Sequence, residues 1–322
     1  MAKRILNLLV VLTLVLGVVS LSAPAVARAQ EPKPKVTLIF YTAATVEFWV
    51  PAIAGAKEAA QMFGIDLDIQ YGDGDIVKQN NLIETAIANK VNGIAVSIQD
   101  DDAFDETICK AMQEGIAVVS FNVDDSKGAA GNCRMAFMGQ NFVDTGYLIA
   151  SRMIKEHGLK AGDHVFTPVE FPTAVYARLR YEGVKKALDE VGITSELIES
   201  TANLPDAQTR EVQYLLGRPE TKAIIALGST PLTVAPKALE EAKMQIPVGG
   251  FDLTLDIIDG IEKGTITATV DQQPYSQGFY SVAQLALYLK YGLYPSDMNT
   301  GGLGLVDKTN VAKVKALVPQ YR

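Results

Sequence analysis

Short apolar runs alternate along the chain with longer segments in which apolar residues recur at helical spacing. Residues 36–41 form such a run, rich in β-forming side chains, as is usual for a strand buried on both faces of a parallel sheet. Residues 48–64 carry apolar positions at helical spacing and end at a glycine, which is typical of a helix terminus. The same pattern predicts further strands at 65–71, 91–98, 116–121, 135–138, 163–169, 196–200, 223–227, 246–252 and 265–270. It predicts further helices at 77–89, 103–114, 143–156, 174–191, 206–217, 232–242, 255–263 and 275–291.

The alternation of strands and helices breaks near residues 138–141 and then restarts, which predicts two α/β lobes. Each lobe is expected to be doubly wound, with a mostly parallel sheet between two layers of helices. A shared order of helix, short turn and buried strand in 82–96 and 214–226 supports this prediction. A cleft between two lobes is a favourable place for a small-molecule site. The assigned segments are 36–140 plus 273–300 for the N-terminal lobe and 141–272 plus 301–322 for the C-terminal lobe.

Polar side chains follow two of the predicted strands in the second half of the chain. Asp252 follows a short apolar run that contains Gly249 and Gly250, and Gln272 follows the strand at 265–270. Ligands of open α/β sheets bind beyond the carboxyl ends of the strands. Asp252 and Gln272 are therefore candidate ligand contacts, although strand ends alone are compatible with any α/β protein.

The first 29 residues have the three parts of a secretory signal peptide. Lys3 and Arg4 precede an apolar run from 5 to 19, and small residues then lead to a cleavage motif that ends at Ala29. The alternative is a membrane anchor, but the apolar run is shorter than the ~20 residues that span a bilayer. We therefore expect export to the periplasm or the extracellular space, with cleavage near Ala29.

Composition narrows the classes of partner and chemistry. The formal net charge is −8 at pH 7 and no long basic block is present, which argues against nucleic acid or an anionic membrane surface as a partner. Two histidines are too few for a His-based metal site, and the glycine-rich motifs that bind dinucleotides or nucleoside phosphates do not occur. We expect neither a metal nor a cofactor. The acidic segment 100–102 could suggest calcium, but acidic residues also favour the amino terminus of a helix, which is the interpretation adopted.

The chain contains two cysteines, Cys109 and Cys133. In an exported protein two cysteines can form a single disulfide that staples a surface loop, and two free thiols are the alternative. A thiol nucleophile lacks support because no histidine lies near either cysteine in the sequence.

Three segments, 42–55, 176–183 and 248–252, together resemble the ribose-binding branch of the periplasmic sugar-binding proteins of ABC importers. The resemblance covers nearly the whole chain after the signal segment, and its most specific marks are the Gly-Phe-Asp strand end and the later Gln-x-Pro. It implies the type I periplasmic binding protein fold, with two Rossmann-like lobes joined by three crossings. It further implies a monomer that closes on a monosaccharide and docks on a membrane permease.

The resemblance also implies roles for individual residues. Phe48 and Trp49 correspond to an aromatic pair that sandwiches the sugar ring, because flat aromatic faces suit its C–H faces; packing of one ring in the core is the alternative. Arg178 corresponds to an arginine that donates two parallel hydrogen bonds to adjacent sugar oxygens, whereas Arg180 is expected at the surface. The candidate ligand-binding set is Thr42, Glu47, Phe48, Trp49, Asn122, Arg178, Asp252 and Gln272, in which Glu47 and Asn122 stand at departures from the related pattern.

Asp252 and Gln272 keep alternative structural roles at this stage. Asp252 corresponds to an aspartate that accepts hydrogen bonds from two hydroxyls, and its alternative is capping of the following helix. Gln272 corresponds to an amide near a crossing between lobes, where it could bind the ligand or bond the hinge.

The chain departs from the ribose-binding pattern at three places. Asn122 and Val123 replace an Asp-Arg pair, Glu47 stands where a proline usually precedes the aromatic pair, and Gly228 begins a Gly-Ser pair that replaces Asn-Asp. Loss of two charges after the fourth strand changes the polar groups that meet a ligand. The expected ligand is therefore another pentose or hexose, a deoxysugar or a polyol as readily as ribose.

Three functions fit these observations. The favoured one is a solute-binding protein of an ABC importer, without enzymatic activity. The second is a protein that presents its ligand to a chemoreceptor or a sensor kinase. The third is an exported carbohydrate-active enzyme with Asp252 and Glu47 as an acid/base pair, which would require two carboxyl groups with matched pKa values.

Overall fold

The computed structural model describes residues 32–302 and 304–322, so the predicted signal peptide and its cleavage site lie outside the described residues. Residues 34–322 form one compact unit. Within the described part of the chain, no helix is both long and apolar enough to cross a membrane.

In the part of the chain that the structure describes, twelve strands form two sheets of six. The strands are β1 (Lys35–Phe40), β2 (Asp66–Tyr71), β3 (Gly93–Val96), β4 (Ala117–Asn122), β5 (Ala136–Gly139), β6 (His164–Val169), β7 (Thr194–Glu199), β8 (Thr221–Ala226), β9 (Val248–Phe251), β10 (Ala268–Val270), β11 (Met298–Asn299) and β12 (Leu305–Asp307). The first sheet has the order β2-β1-β3-β4-β5-β11 and the second the order β7-β6-β8-β9-β10-β12. All neighbouring pairs are parallel except β10 and β12.

Eleven helices within residues 32–302 and 304–322 connect and cover the strands, and a short 3-10 turn, Glu47–Trp49, precedes the first of them. The helices are α1 (Val50–Phe63), α2 (Ile76–Ala88), α3 (Asp105–Gln113), α4 (Ala129–Asn132), α5 (Phe142–His157), α6 (Val175–Asp189), α7 (Leu204–Gly217), α8 (Ser229–Ala242), α9 (Leu255–Lys263), α10 (Pro274–Tyr291) and α11 (Val311–Lys315). Helices α1 and α10 pack together beside the first sheet, and α5 and α6 pack together beside the second. Each sheet with its helices forms one lobe, and the predicted fold class of two doubly wound α/β lobes is confirmed.

Burial explains why the central strands read as continuous apolar runs. Every residue of β4 and every residue of β1 after Lys35 is buried, because helices cover both faces of the sheet. The edge strands β2 and β7 contain no buried residue. Apolar character therefore falls from the middle of each sheet towards its edge.

The chain passes between the two sheets at three places. It leaves the first sheet after β5, returns to it from β10 through α10, and crosses again between β11 and β12. Such crossings bring the carboxyl ends of strands from both sheets towards one region, which is where the polar residues of interest lie.

Several observed elements differ from the predicted ones: the strand predicted at 265–270 begins only at Ala268, and α4 has no predicted counterpart. The strand predicted at 246–252 begins only at Val248, because the preceding Pro247 has no amide hydrogen to donate to a neighbouring strand. The tail after residue 291, for which no strand is predicted, contributes β11 and β12 before the short α11. These strands have two and three residues at sheet edges, too few to show a periodic pattern.

Candidate functional site

A cavity of about 310 Å³ lies where strand ends of both sheets meet. From the first lobe it is lined by residues that follow β1 and end β4, and from the second by residues that follow β6, β9 and β10, as expected for ligand sites of open α/β sheets. The lining comprises Tyr41, Thr42, Thr45, Val46, Glu47, Phe48, Trp49, Asn122, Glu170, Phe171, Tyr176, Arg180, Ala202, Leu204, Ser229, Thr230, Thr233, Asp252, Thr254, Asp256 and Gln272.

Seven of the eight candidate ligand contacts named from the sequence line this cavity. They come from sequence positions as far apart as 42 and 272, so the structure brings together residues that the chain separates widely. The seven are Thr42, Glu47, Phe48, Trp49, Asn122, Asp252 and Gln272. Arg178 does not line it.

The two arginines of α6 have the opposite environments to those predicted. Arg178 has a side chain 45% exposed and forms an ion pair with Asp101, which follows β3 of the other lobe. Arg180 is 2% exposed and lines the cavity. Two residues along a helix turn the side-chain direction by roughly 200°, so both arginines cannot face the cavity. The assignments of Arg178 to the site and of Arg180 to the surface are therefore corrected.

Arg180 is held by directional contacts on the cavity wall. Its Nη1 donates to the carbonyl oxygen of Leu227 at 2.6 Å, and its Nη2 lies 3.4 Å from Oδ1 of Asp252. Three aromatic rings lie within 5.2 Å of the guanidinium carbon, which favours the charged group through cation–π attraction. These rings belong to Phe142, Tyr176 and Phe251.

Phe48 and Trp49 do not form a sandwich. Their ring centroids lie 4.8 Å apart with an interplanar angle of 74°, so the two rings cannot lie flat on opposite faces of one sugar. Trp49 is 1% exposed and packs against Phe40 and Tyr41, while its Nε1 donates to Oγ1 of Thr42. Trp49 is therefore mainly a core residue, whereas the ring of Phe48 is only half-buried.

Asp252 lies at the centre of a hydrogen-bond network across the two lobes. Oδ1 of Asp252 accepts from Nε2 of Gln272, and Oε1 of Gln272 accepts from Nδ2 of Asn122 at 3.2 Å. Asn122 also donates to Oε1 of Gln277 at 2.9 Å. Gln272 therefore makes hinge hydrogen bonds as well as lining the cavity, and Asn122 links the end of β4 to it.

The backbone fixes the direction of Asp252 and Asn122. Both are non-glycine residues with positive φ, 74° and 64°, a conformation that is rare for L side chains and concentrates at functional sites. Asp252 does not cap the helix that follows, because Thr254 is the N-cap of α9 and accepts from the amide of Ile257 at 3.2 Å. The capping alternative for Asp252 is therefore excluded.

Glu170 lines the cavity although it is not among the predicted ligand contacts. Its Oε2 accepts from the hydroxyl of Tyr176 at 3.1 Å, and its Oε1 accepts from the amide of Thr230 at 3.0 Å. Burial, followed by the negative charge of Asp252, raises the pKa of the Glu170 carboxyl above its usual range. Glu170 directly follows β6, so the strand-end argument that identified Asp252 also applies to it.

Glycine at position 228 makes room for Glu170. A Cβ atom built at Gly228 would lie 2.0 Å from Oε2 of Glu170. Gly228, which stands where the related pattern has Asn, therefore leaves the space that the carboxyl group of Glu170 occupies.

The rest of the lining divides into a hydroxyl-rich part and an apolar part. Hydroxyl side chains come from the start of α8 and from the loop before α9: Ser229, Thr230, Thr233 and Thr254. Apolar contacts come from Val46, Phe48, Phe171, Ala202 and Leu204. Such a lining can hydrogen-bond the edges of a small polar molecule while covering its apolar faces.

Two further sequence features lie away from the cavity. Cys109 of α3 and Cys133 form a disulfide. Oδ1 of Asp100 accepts from the amides of Asp102 and Ala103 at 3.1 and 3.0 Å, so part of the acidic segment orders the turn before α3. Within residues 32–302 and 304–322, no group of three or more His, Cys, Asp or Glu side chains could hold a metal ion.

Comparison with known proteins places this architecture in a family. Residues 36–293 match the model of the periplasmic binding protein domain. The chain is 27% identical to the xylose/arabinose-binding protein XylF of Sulfolobus acidocaldarius over 298 residues, which cover 86% of this chain and 73% of that protein. It is 29% identical to a D-apiose import binding protein of Paraburkholderia graminis over 241 residues, which cover 74% and 75% of the two chains.

A solved structure agrees in fold over almost its whole length. The carbohydrate transporter from Acidothermus cellulolyticus, crystallised in complex with myo-inositol, superimposes with a TM-score of 0.81 at 28% identity. The match covers 89% of this chain and 98% of that one. With two lobes, a cavity at their strand ends and a family match from residue 36 to 293, this chain belongs to the periplasmic binding protein family.

Proposed function

We propose that this protein is an exported solute-binding protein that captures a monosaccharide or a related polyol between its lobes and delivers it to the permease of an ABC transporter. The observation that carries the proposal is the convergence of Arg180, Asp252, Asn122 and Gln272 from both lobes on one cavity. The names of the relatives, which include xylose/arabinose-binding and D-apiose import binding proteins, support the same class of ligand.

Each proposed contact has a chemical role toward such a ligand. The Arg180 guanidinium donates to a sugar oxygen, Asp252 accepts from a hydroxyl, and the amides of Asn122 and Gln272 can donate or accept. Phe48 covers an apolar ring face. Thr42 and Glu47 complete the contacts from the first lobe. A few charge-assisted hydrogen bonds of about 1.5–3 kcal/mol each are sufficient for micromolar binding, about −8 kcal/mol.

The two lobes would close on the ligand through the crossings. The proposed lobes are those of the sequence analysis, 36–140 plus 273–300 and 141–272 plus 301–322. The network from Asn122 through Gln272 to Asp252 spans them and would tighten as the ligand bridges both sides.

Binding without chemical conversion is part of the proposal. The acid/base pair considered above would consist of Glu47 and Asp252. Glu47 is exposed at the rim, whereas Asp252 is buried and already accepts a hydrogen bond from Gln272. These different environments do not form the matched pair of carboxyl groups that an acid/base mechanism needs.

Trp49 offers a direct test because it is the single tryptophan and lines the cavity. Titration of the exported protein with pentoses, hexoses and polyols should give a saturable change in its fluorescence for at least one compound, with no product detected by chromatography. Asp252→Asn should abolish the change. Mass spectrometry of ligand co-purified with the protein would identify the compound independently.

Two results would contradict the proposal. A flat fluorescence response and no binding heat across the whole panel would show that the protein does not bind monosaccharides or polyols. Turnover of a sugar that is lost in Asp252→Asn would instead establish an enzyme.

A further inference from the structure

The cavity lining carries more acidic than basic side chains. Four carboxyl groups line it, from Glu47, Glu170, Asp252 and Asp256, against the single guanidinium of Arg180. Glu47 and Asp256 are exposed at the rim, whereas Glu170, Asp252 and Arg180 are each more than nine-tenths buried. The inner wall therefore holds two carboxyl groups and one cation.

Arg180 forms a direct ion pair with Asp252, whereas its charge acts on Glu170 only from a longer distance. Its Nη2 forms an ion pair with Oδ1 of Asp252, and its Nη1 is used by the carbonyl oxygen of Leu227. Among residues 32–302 and 304–322, no lysine, arginine or histidine nitrogen lies within ion-pair distance of Glu170. The charge of Glu170, when it is ionised, has no partner within the described protein.

The surroundings of Glu170 are nevertheless arranged for a carboxylate. An ionised carboxyl group only accepts hydrogen bonds, and here a donor is aimed at each oxygen, from the Tyr176 hydroxyl and the Thr230 amide. The space next to Oε2 exists because position 228 is glycine. Burial and the charge of Asp252 raise the pKa of Glu170, although Arg180 and the amide of Thr230 act in the opposite direction. A positive charge brought by a ligand would resolve this conflict.

We propose that the ligand carries a protonated amine, as amino sugars and aminocyclitols do, and that its ammonium group binds at Glu170. This inference rests on the proposed function, since it keeps the polyhydroxylated ring and specifies one substituent. An ammonium group donates three hydrogen bonds and is a compact charge, which suits the two buried carboxyl groups of the inner wall. The rings of Tyr41 and Tyr176 also line the cavity there and can attract a cation through their faces.

The test uses pairs of ligands that differ only at the amine. Isothermal titration at pH 7 and low ionic strength would compare D-glucosamine with D-glucose, D-galactosamine with D-galactose, and an inosamine with the corresponding inositol. We expect at least one amine to bind about tenfold more tightly than its hydroxyl counterpart or more. N-acetylation, which removes the charge from the amino sugars, should remove the advantage.

Two variants localise the effect. Glu170→Gln should cancel the preference for the amine within each pair, whereas Glu240→Gln, an exposed position on α8, should keep it. Because the acetylated ligands test the charge on the unaltered protein, the result does not depend on whether Glu170→Gln folds. Saturable binding in which the neutral compound is the tighter ligand of every pair would overturn this inference and leave the proposed function standing. No binding of either class would overturn both.

Discussion

Arg180 makes contacts that a lysine could not reproduce. Its guanidinium donates in two directions, to Leu227 and Asp252, and lies among three aromatic rings. We expect Arg180→Lys to weaken ligand binding about tenfold or more, since a charge-assisted hydrogen bond contributes about 1.5–3 kcal/mol. Arg178→Lys, two residues away and outside the cavity, is the matched control and should change the dissociation constant by about twofold at most. Equal losses in both variants would contradict the corrected assignment.

Helical phase could have identified Arg180 from the sequence. The buried positions of α6 include Tyr176, Arg180, Gly183 and Ala187, which recur at steps of three and four, whereas Arg178 falls between them. The resemblance matches Arg178 to the cleft arginine, whereas the phase of the buried positions favours Arg180. Glu170 directly follows β6, so its position at the cavity was open to the strand-end argument, whereas the space that Gly228 leaves for its carboxyl group is a long-range fit that no local pattern reports.

Glu211 of α7 is a buried carboxyl group outside the cavity. Neither of its carboxyl oxygens has a hydrogen-bond partner in the described residues, and burial, with Glu170 second, raises its pKa well above the usual range. A raised pKa in the folded state means that the stabilising contribution is complete below the unfolded pKa of about 4.3 and declines as the pH rises above it. Above that pH the folded protein has to keep a proton that the unfolded chain releases.

We therefore expect Glu211→Gln to raise the free energy of unfolding at pH 7 by about 1–2 kcal/mol, because the amide stays neutral at every pH. Urea unfolding at pH 7 and at about pH 4 measures this difference, which should shrink at the lower pH. Glu240→Gln, exposed on α8, controls for the change in net charge. A gain of the same size at both pH values would show that ionisation is not its cause.

Each lobe contains a pair of helices that touch through glycines. In the first lobe, a Cβ atom at Gly55 of α1 would lie 2.2 Å from the carbonyl oxygen of Tyr275, and one at Gly278 of α10 would lie 1.9 Å from that of Ala52. In the second lobe, Cβ atoms at Gly146 of α5 and Gly183 of α6 would lie 2.2 and 2.0 Å from backbone oxygens. Backbone oxygens cannot turn aside as a flexible side chain can, so each pair has no room for a methyl group.

Gly278→Ala should consequently lower the free energy of unfolding by about 1–3 kcal/mol, the usual cost of overpacking. Gly217→Ala is the matched control, because that helical glycine in α7 has no atom within 4 Å of its Cβ position and should be neutral or stabilising by up to about 1 kcal/mol. Urea unfolding monitored by circular dichroism compares the two variants. Equal free energies of unfolding for both would contradict the close helix contact.

Elements that carry many residues could be predicted from the sequence, and short edge elements could not. The strands at 36–41 and 116–121 correspond closely to β1 and β4, because burial on both faces leaves a continuous apolar run. β11 and β12 form by pairing with the edges of β5 and β10, which lie far from them in the sequence. In the site, the ends of the predicted strands indicated the positions of Asp252 and Gln272. The angle between the rings of Phe48 and Trp49 depends on packing against Phe40, so it could not be predicted from their being neighbours in the sequence.

Residues of the two lobes also contact each other outside the cavity lining. Asp101 of the first lobe pairs with Arg178 of the second, and the amide of Val175 donates to the carbonyl oxygen of Gln99 at 3.2 Å. The Asp101 carboxyl accepts in addition from the amide of Ser126 at 2.8 Å, which fixes its position. Although burial opposes it, the hydrogen bonds from Ser126 and Arg178 leave the pKa of Asp101 lowered, so the carboxylate stays charged near neutral pH.

The Asp101–Arg178 ion pair should favour the closed arrangement of the lobes. Because the Arg178 side chain is 45% exposed, we expect a contribution of about 0.2–1 kcal/mol, or a loss of about 1.4- to 5-fold in ligand affinity for Asp101→Asn. Small-angle scattering should show a larger radius of gyration for the ligand-free variant.

Glu84→Gln breaks an exposed ion pair with Lys110 inside the first lobe and should leave both the affinity and the radius of gyration unchanged. Salt should reduce affinity in the unaltered protein more than in Asp101→Asn, because screening weakens the pair that the variant lacks. Equal affinities and equal radii for the two variants would exclude a role of this pair in closure.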